Sequence, residues 1–272
     1  MAGLALTGGR AARAQVAPNT ATTYLHPTDV RDARALWVNP AGLATLSEAS
    51  VVLDVTVGDP GARGRLRQLT AGFDSRGFSF GYQRDVFDGG RRGHTYRLGI
   101  GESSAGLAAG LATAIYRGDT KGTGLDVGVR YEAAAALTVG GVVTNLGQPT
   151  VRGLRQVVTF VPGATLRPFG PDAAVSTHAR ITTSEVVSYS FGLRWRWGWG
   201  EGGGRRAGWR VPMQLLARLD TDRGLRRGAF AFGLSLGGAD MVGAVVATPG
   251  DVSGVDALSL YGLSTRSMVR RR

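Results

Sequence analysis

The sequence predicts an all-β protein, a transmembrane antiparallel up-and-down β-barrel of about 14 strands, with 12 as the lower end of the range. Three observations predict this fold. Apolar and polar residues alternate in one segment after another from about residue 50 onward. Most of these segments have roughly the 9–11 residues that a tilted strand needs to cross a bilayer. No apolar run reaches the roughly 18 residues of a membrane helix.

Residues 1–14 are predicted to be part of a signal peptide for export. Ala12, Arg13 and Ala14 precede Gln15 in the small-x-small pattern of a signal-peptidase site. The apolar stretch before this pattern is shorter than the about 7–15 residues of a complete signal. We therefore expect the start of the signal to lie upstream of the first residue of this sequence.

The alternation is clearest in a predicted hairpin over residues 123–145. Leu125 and Val129 lie on one face of its first strand, and Asp126 and Arg130 lie on the other. A period of two with one apolar and one polar face is typical of a strand between two different environments. The predicted strands are 50–57, 63–73, 77–87, 93–101, 105–117, 123–132, 135–145, 157–167, 173–183, 187–198, 208–220, 227–237, 240–248 and 254–263.

Arginines alternate with tryptophans in the segment around residues 187–198. Arg194 and Arg196 oppose Trp195 and Trp197, an arrangement that a packed soluble core would not accommodate. In a barrel the arginines would face a water-filled interior and the tryptophans would face lipid. The residues predicted to line the interior are Arg97, Asp126, Arg130, Glu132, Arg167, His178, Arg180, Arg194, Arg196 and Arg218.

The connections between predicted strands alternate in length. Outer-membrane barrels have short periplasmic turns and longer outer loops. Short turns are predicted at 74–76, 102–104, 133–134 and 237–239, and longer loops at 88–93, 145–155 and 220–226. The exception is residues 200–207, which are long and fall among the short turns.

Aromatic residues near the predicted strand ends suggest the interfacial girdles of a membrane barrel. These residues are Tyr82, Tyr116, Tyr131, Trp197, Trp199, Trp209 and Tyr261.

Composition excludes several other classes of protein. The formal net charge is +12, almost all of it from arginine, since Lys121 is the only lysine. A protein with such a charge can bind nucleic acids or acidic membranes. Helix-turn-helix and RNP-like signatures are absent from the sequence, so no nucleic-acid partner is predicted. The lack of cysteine excludes thiol nucleophiles, zinc–thiolate sites and disulfides. The 43 glycines are scattered singly, as expected where walls curve or side chains crowd.

No enzyme site is predicted. His26, His94 and His178 are far apart in sequence, and the motifs of metalloproteases, serine hydrolases and nucleotide-binding enzymes are absent. We therefore predict no catalytic residue, no metal and no cofactor. His178 and Arg180 share the polar face of a predicted strand, where they would either contact an anionic ligand or form part of a solvated wall.

One short motif points to a family. Asn39-Pro40-Ala41-Gly42-Leu43 lies just before the first predicted strand, and residues 124–131 and 137–149 form a strand pair that ends in Asn-Leu-Gly-Gln-Pro. The two features together resemble the FadL-type and PorV-like outer-membrane barrels. The resemblance implies that residues 15–48 form an N-terminal hatch, with about Tyr24 to Thr45 held in the barrel by Asn39, Pro40, Ala41 and Gly42. Residues 49–264 would form the barrel and 265–272 a basic C-terminal tail.

The same resemblance implies a location and a function. The protein would lie in the bacterial outer membrane, surrounded by its lipid, and act as a passive channel for hydrophobic or amphipathic small molecules. The alternative within the resemblance is a PorV-like barrel without transport, which assists a secretion component or anchors proteins at the surface. A third alternative, from the alternation alone, is a soluble β-sandwich that binds a ligand.

Overall fold

The structure is a computed structural model, which describes residues 22–45, 48–58, 65–151, 154–199, 211–237, 241–248 and 257–267. Its main elements are 14 long strands, each of at least eight residues. Short helices occur at Ala35–Val38 (α1) and, as 3-10 turns, at Pro40–Thr45, Asp88–Gly90 and Gly170–Asp172. The strands are β1 Glu48–Gly58, β2 Arg65–Ser75, β3 Phe78–Val86, β4 Arg92–Ser104, β5 Leu107–Gly118, β6 Thr120–Ala134, β7 Leu137–Leu146, β8 Thr159–Leu166, β9 Ala173–Thr182, β10 Val186–Trp199, β11 Val211–Asp222, β12 Arg227–Gly237, β13 Met241–Thr248 and β14 Ala257–Ser267.

The 14 strands form a closed antiparallel ring. Each strand pairs with the next along the chain, and β1 pairs with β14 over its whole length. A small ladder between Thr150–Val151 and Leu154–Arg155 extends β6 at one edge. Closure removes the unpaired edges that an open sheet would expose. The predicted barrel of about 14 strands is therefore confirmed, and the alternative of a soluble β-sandwich is wrong.

The barrel is apolar outside and polar inside. Leu53 and Ile100 on the outward face are 54% and 57% exposed, whereas Asp54 and Arg130 on the inward face are 0% and 1% exposed. This arrangement reverses that of a soluble protein, which buries apolar side chains because water disfavours them. A sheet with these two faces fits a barrel whose outer wall contacts lipid. Among the described residues, no helix is long and apolar enough to span a membrane.

The start of β1 and the end of β14 lie at the same end of the barrel, called here the lower end. The two-residue turns 76–77, 105–106 and 135–136 also lie there. The opposite, upper end carries the longer connections 87–91, 147–158 and 223–226. For these six connections the length difference agrees with the sequence-based prediction. The single residue 119 at the upper end and the six-residue connection 167–172 at the lower end do not follow it. Residues 1–14, the long connection 200–207 and residues 268–272 of the basic tail lie outside the described residues.

Two of the predicted girdle residues face inward. Tyr82, Tyr131 and Trp197 lie on the outward face, as expected for a girdle. Tyr116 and Tyr261, in contrast, are buried on the inward face. They were misplaced because the prediction used only their position near the strand ends. On β14, alternation with the outward Leu258 and Leu260 places Tyr261 on the inward face. The side chains of Trp199 and Trp209 lie outside the described part.

Candidate functional site

Residues 22–45, called here the N-terminal segment, pack against inward-facing residues of strands on all sides of the barrel. The segment turns at Thr22–Leu25 and His26–Asp29, forms α1, and continues as the 3-10 turn Pro40–Thr45 before β1. Asn39 ends α1 in an extended conformation, with φ of −159°. The following Pro40 accounts for this, because a proline disfavours helical geometry in the residue before it.

Asn39 attaches the segment to the barrel wall. Its side-chain nitrogen donates to the carbonyl of Pro27 within the segment at 3.0 Å and to the carbonyl of Val129 in β6 at 3.3 Å. Its side-chain oxygen accepts from the backbone N–H of Ala41 at 3.1 Å. Asn39, Pro40, Ala41 and Gly42 are all buried. The residues of the sequence motif are therefore buried, and Asn39 is hydrogen-bonded both within the segment and to β6; their role as a hatch stays a prediction.

Asp29 joins the segment to two strands by ion pairs. Arg194 in β10 donates to its two carboxylate oxygens at 3.0 and 3.2 Å, and Arg167 at the end of β8 donates at 2.9 Å. Burial opposes ionisation of this carboxyl, but the two arginines outweigh burial and hold the pKa of Asp29 below its ordinary value. Asp29 is therefore negatively charged, and its charge compensates the positive charges of Arg167 and Arg194.

A second polar cluster lies on the opposite side of the segment. Arg34 donates to both carboxylate oxygens of Asp32 at 2.8 and 2.6 Å and to the hydroxyl of Tyr24 at 2.5 Å. Its guanidinium lies 5.0 Å from the ring centre of Tyr261 in β14. The rings of Tyr24 and Tyr261 stack at 5.8 Å. This buried arginine is compensated within the segment, and its contact with β14 is a cation–π interaction.

Two histidines meet where the segment crosses β9. The Nδ1 atoms of His26 and His178 are 2.9 Å apart, and their rings meet edge to face. Arg218 in β11 lies beside them and donates to the carbonyl of Leu25 at 3.0 Å. Burial, and secondly the charge of Arg218, lowers the pKa of His26 to about 3. His26 is therefore neutral at physiological pH.

Inward-facing glycines make room for the segment. Gly72 pairs with Gly81 across β2 and β3, and Gly101, Gly110 and Gly128 form a row across β4, β5 and β6. A Cβ atom on any of them would lie too close to the segment: the first two face Trp37, and the other three face Pro40 or its neighbours. The glycines therefore form a recess in the wall that fits the segment.

Replacing Gly128 by alanine is expected to loosen the segment without unfolding the barrel. The added Cβ would collide with the side-chain oxygen of Asn39 and lie 3.1 Å from the ring of Pro40. Limited trypsin digestion checks this, because cleavage after Arg31 or Arg34 requires an undocked segment. Gly243→Ala is the matched control, since nothing lies within 4 Å of its added Cβ. Equal protection of the two variants would contradict the expected loosening.

A chamber of about 430 Å³ lies between the segment and the upper part of the wall. Trp37 and Val38 of the segment contribute to its lining, together with Val142 and Val161 from the wall. Polar lining residues include Gln83, Arg97, Asp126, Asn145, Arg180 and Arg218. A buried Nε atom of Arg180 has no hydrogen-bond partner. The chamber is therefore mixed in character, with apolar patches beside guanidinium groups.

The predicted interior residues lie on the inward face of the barrel. Arg97 pairs with Asp126 at 2.8 Å and also donates to the carbonyl of Leu36. Arg130 and Glu132 pair with each other, and they contact Thr28 and Arg31 of the segment. The remaining residues are Arg167 and Arg194 at Asp29, His178 and Arg218 at His26, Arg180 at the chamber, and Arg196, which shares the face of Arg194 and is exposed.

Several partners of these residues were not found from the sequence. Asp29 and Trp37 were not among the predicted site residues, and His26 was given no role in the barrel. Residues 15–47 contain two acidic residues, Asp29 and Asp32. Acidic residues ahead of a barrel rich in inward arginines are the signal that could have pointed to Asp29. Within the described residues, no group of three or more His, Asp or Glu side chains could hold a metal ion.

No protein-family model matches the chain, and no curated protein sequence matches it. Among solved structures, the chain is similar to the toluene transporter TodX of Pseudomonas putida, with a TM-score of 0.55 and 10% identity over 89% of this chain and 96% of that one. Weaker similarities are to a porin of Rhodopseudomonas blastica carrying three substitutions (TM-score 0.43, 9% identity, 80% and 99% coverage) and to Omp33 of Acinetobacter baumannii (0.42, 9%, 80% and 97%). At this identity the likeness to TodX shows the fold alone. The chain has the fold of an outer-membrane β-barrel.

Proposed function

We propose that this protein is a passive channel of the bacterial outer membrane for hydrophobic or amphipathic small molecules, with the N-terminal segment as its hatch. The observation that carries the proposal is the chamber above the segment. Its volume of about 430 Å³ is that of a small-ligand site. Its lining pairs apolar surface at Trp37 and Val161 with cationic groups at Arg180 and Arg218. Such a lining suits a molecule with an apolar body and a polar end.

Passage would require the segment to move. Inward-facing groups on opposite walls contact it, from Arg97 and the Val129 carbonyl on one side to Arg194 and Tyr261 on the other. The contacts are hydrogen bonds, ion pairs and ring contacts, which are all non-covalent and can be exchanged for contacts with water as the segment leaves. Displacement of the segment would join the chamber to the lower end of the barrel. Movement would then follow the concentration gradient, with no cofactor and no energy source.

A reversible crosslink tests this mechanism. The hydroxyl oxygens of Thr28 in the segment and Thr165 in β8 are 2.7 Å apart, and both residues are buried. The chain has no cysteine, so Thr28→Cys combined with Thr165→Cys creates a single disulfide, which ties the segment to the wall. We expect low conductance in planar bilayers when the variant is oxidised and a return to the wild-type level after reduction. Each single-cysteine variant, tested with the same reagents, is the control.

Conductance that is measurable and unaffected by the crosslink would contradict the hatch. No conductance in any state, from a barrel that is correctly folded, would favour the alternative function. That alternative is a PorV-like barrel that assists secretion or anchors other proteins. The observation that supports it is the density of ionic contacts between segment and wall, which include Asp29 with two arginines and Glu132 with Arg31 and Arg130.

A further inference from the structure

Basic side chains collect on the outward face of the barrel at the upper end of three neighbouring strands. Arg84 in β3 pairs laterally with His94 in β4, which pairs with Arg117 in β5. Arg92 lies on the same face of β4, one outward position closer to the rim. These four residues are called here the upper basic patch. The acidic residue next to it is Asp119, whose carboxylate accepts from the backbone N–H of Arg92 at 2.9 Å.

Two tyrosines lie directly below the patch. Tyr82 and Tyr96 pair laterally on the outward face, with ring centres 5.3 Å apart. The hydroxyl of Tyr82 shares a hydrogen bond of 2.8 Å with Nδ1 of His94. Tyrosines on the outer wall of a membrane barrel mark the boundary between hydrocarbon and headgroups. Arg84 and His94 lie two residues further along their strands, about 6.6 Å along the strand direction and toward the level of the headgroups.

The patch occupies one arc of the circumference. On the strands β8 to β14, the described outward residues near the upper end are largely apolar and include Phe160, Ile181, Val187, Leu219 and Leu260. The exposed Arg223 and Arg226 on this side lie in the connection above β11 and β12 and not on the wall, and Arg223 pairs with Glu185. A barrel that is attracted to an acidic membrane surface in general needs only basic residues spread around its circumference. Charges concentrated on three adjacent strands above a tyrosine pair instead fit one bound molecule.

We propose that the upper basic patch binds the phosphate groups of a phosphorylated glycolipid in the leaflet that surrounds the upper end. Guanidinium groups match phosphate because they donate two parallel hydrogen bonds, and they are more weakly hydrated than ammonium groups. The acyl chains of such a lipid would lie against the apolar wall below, along Tyr96, Leu98 and Ile100. This inference rests on the proposed outer-membrane location.

The test measures lipid bound to the purified, folded barrel in a zwitterionic detergent. The probe is bisphosphorylated lipid A, and the comparison ligand is the same lipid without its phosphates; native mass spectrometry counts the bound molecules. The triple variant Arg84→Gln, Arg92→Gln and Arg117→Gln is expected to bind lipid A about a hundredfold more weakly, since each basic residue near an anionic surface contributes roughly a fivefold gain. The control variant Arg155→Gln, Arg223→Gln and Arg226→Gln removes the same charge from exposed positions outside the patch.

Retained binding by the control variant, together with loss of binding by the patch variant, would support the proposal. Three results would overturn it: equal weakening in both variants, equal binding of the dephosphorylated lipid, or full displacement by millimolar inorganic phosphate, which would indicate a site for free anions. A barrel that conducts but binds no lipid A would contradict lipid binding by the patch and would not contradict the proposed channel function. A barrel that binds lipid A through the patch but never conducts would support lipid binding and contradict the proposed channel function.

Discussion

Replacing Asp29 by asparagine is expected to open the barrel. The substitution keeps the shape of the side chain but removes the charge that compensates Arg167 and Arg194, both largely buried. Removing one partner of a buried ion pair costs about 3–5 kcal/mol, because the other charge is left uncompensated. Such a cost lowers the ratio of docked to undocked segment by a factor of about a hundred or more. Bilayer conductance should rise, and trypsin should cleave the segment while the barrel remains heat-modifiable on gels.

Glu185→Gln is the matched control for this experiment. It also removes a carboxylate paired with an arginine, at 2.7 Å from Arg223, but both side chains are more than half exposed and neither belongs to the segment. Exposed pairs of this kind contribute about 0–1 kcal/mol, so the segment should stay as protected from trypsin as in the wild type. Protection is the readout for this control, because Glu185 itself lines the chamber. Unchanged conductance and unchanged protection in Asp29→Asn would show that these two ion pairs do not hold the segment.

Acidification is expected to release the segment, through His26. The pKa of His26 is about 3 in the docked state, and its ordinary value is 6.5. Between these values the undocked segment binds one more proton than the docked segment, so docking is strongest above about pH 6.5 and weakens as the pH falls toward 3. The slope approaches about 1.4 kcal/mol per pH unit. Conductance measured from pH 7 to about 4 should therefore increase.

The groups that face His26 determine how cleanly this response is observed. His178 shares its hydrogen bond, Arg218 repels the protonated form, and the carboxylates of Asp29 and Asp220 favour it more weakly. The lowered pKa of Asp29 keeps its ion pairs intact over most of this range. His26→Gln should flatten the pH response, and His94→Gln on the outer wall should leave it unchanged. A response of the same size in both variants would assign the titration to another group.

The fold was largely predictable because the alternation of apolar and polar residues indicates each strand and its two faces. Each strand between lipid and a polar interior must place apolar side chains on one face, so Leu125, Val129 and their neighbours indicate direction without further information. The inward arginines, such as Arg194 and Arg218, follow from the same rule. The girdle prediction was wrong for Tyr116 and Tyr261, because it used their position near the strand ends and not the face on which the alternation places them.

The contacts of the segment were less predictable, because they depend on register and not on direction. The row Gly101, Gly110 and Gly128 becomes visible only when three strands are aligned residue by residue. Alternation does not fix that alignment, since a shift of two residues preserves both faces. The meeting of His26 with His178 likewise requires the depth of the segment in the barrel, which no local pattern encodes. The motif at Asn39 indicated the segment but not its partners.

The pairing of β1 with β14 has a consequence for the order in which the protein assembles. The ring closes only when the first and last strands meet, and the recess for the segment includes residues from β2 to β14. The segment therefore has no complete binding surface until the last strand is in place. Although it precedes every strand along the chain, it docks last. During closure Asp29 can stay in water, so its charge enters the interior only when Arg167 and Arg194 are already in place. Arg34 enters together with its partner Asp32.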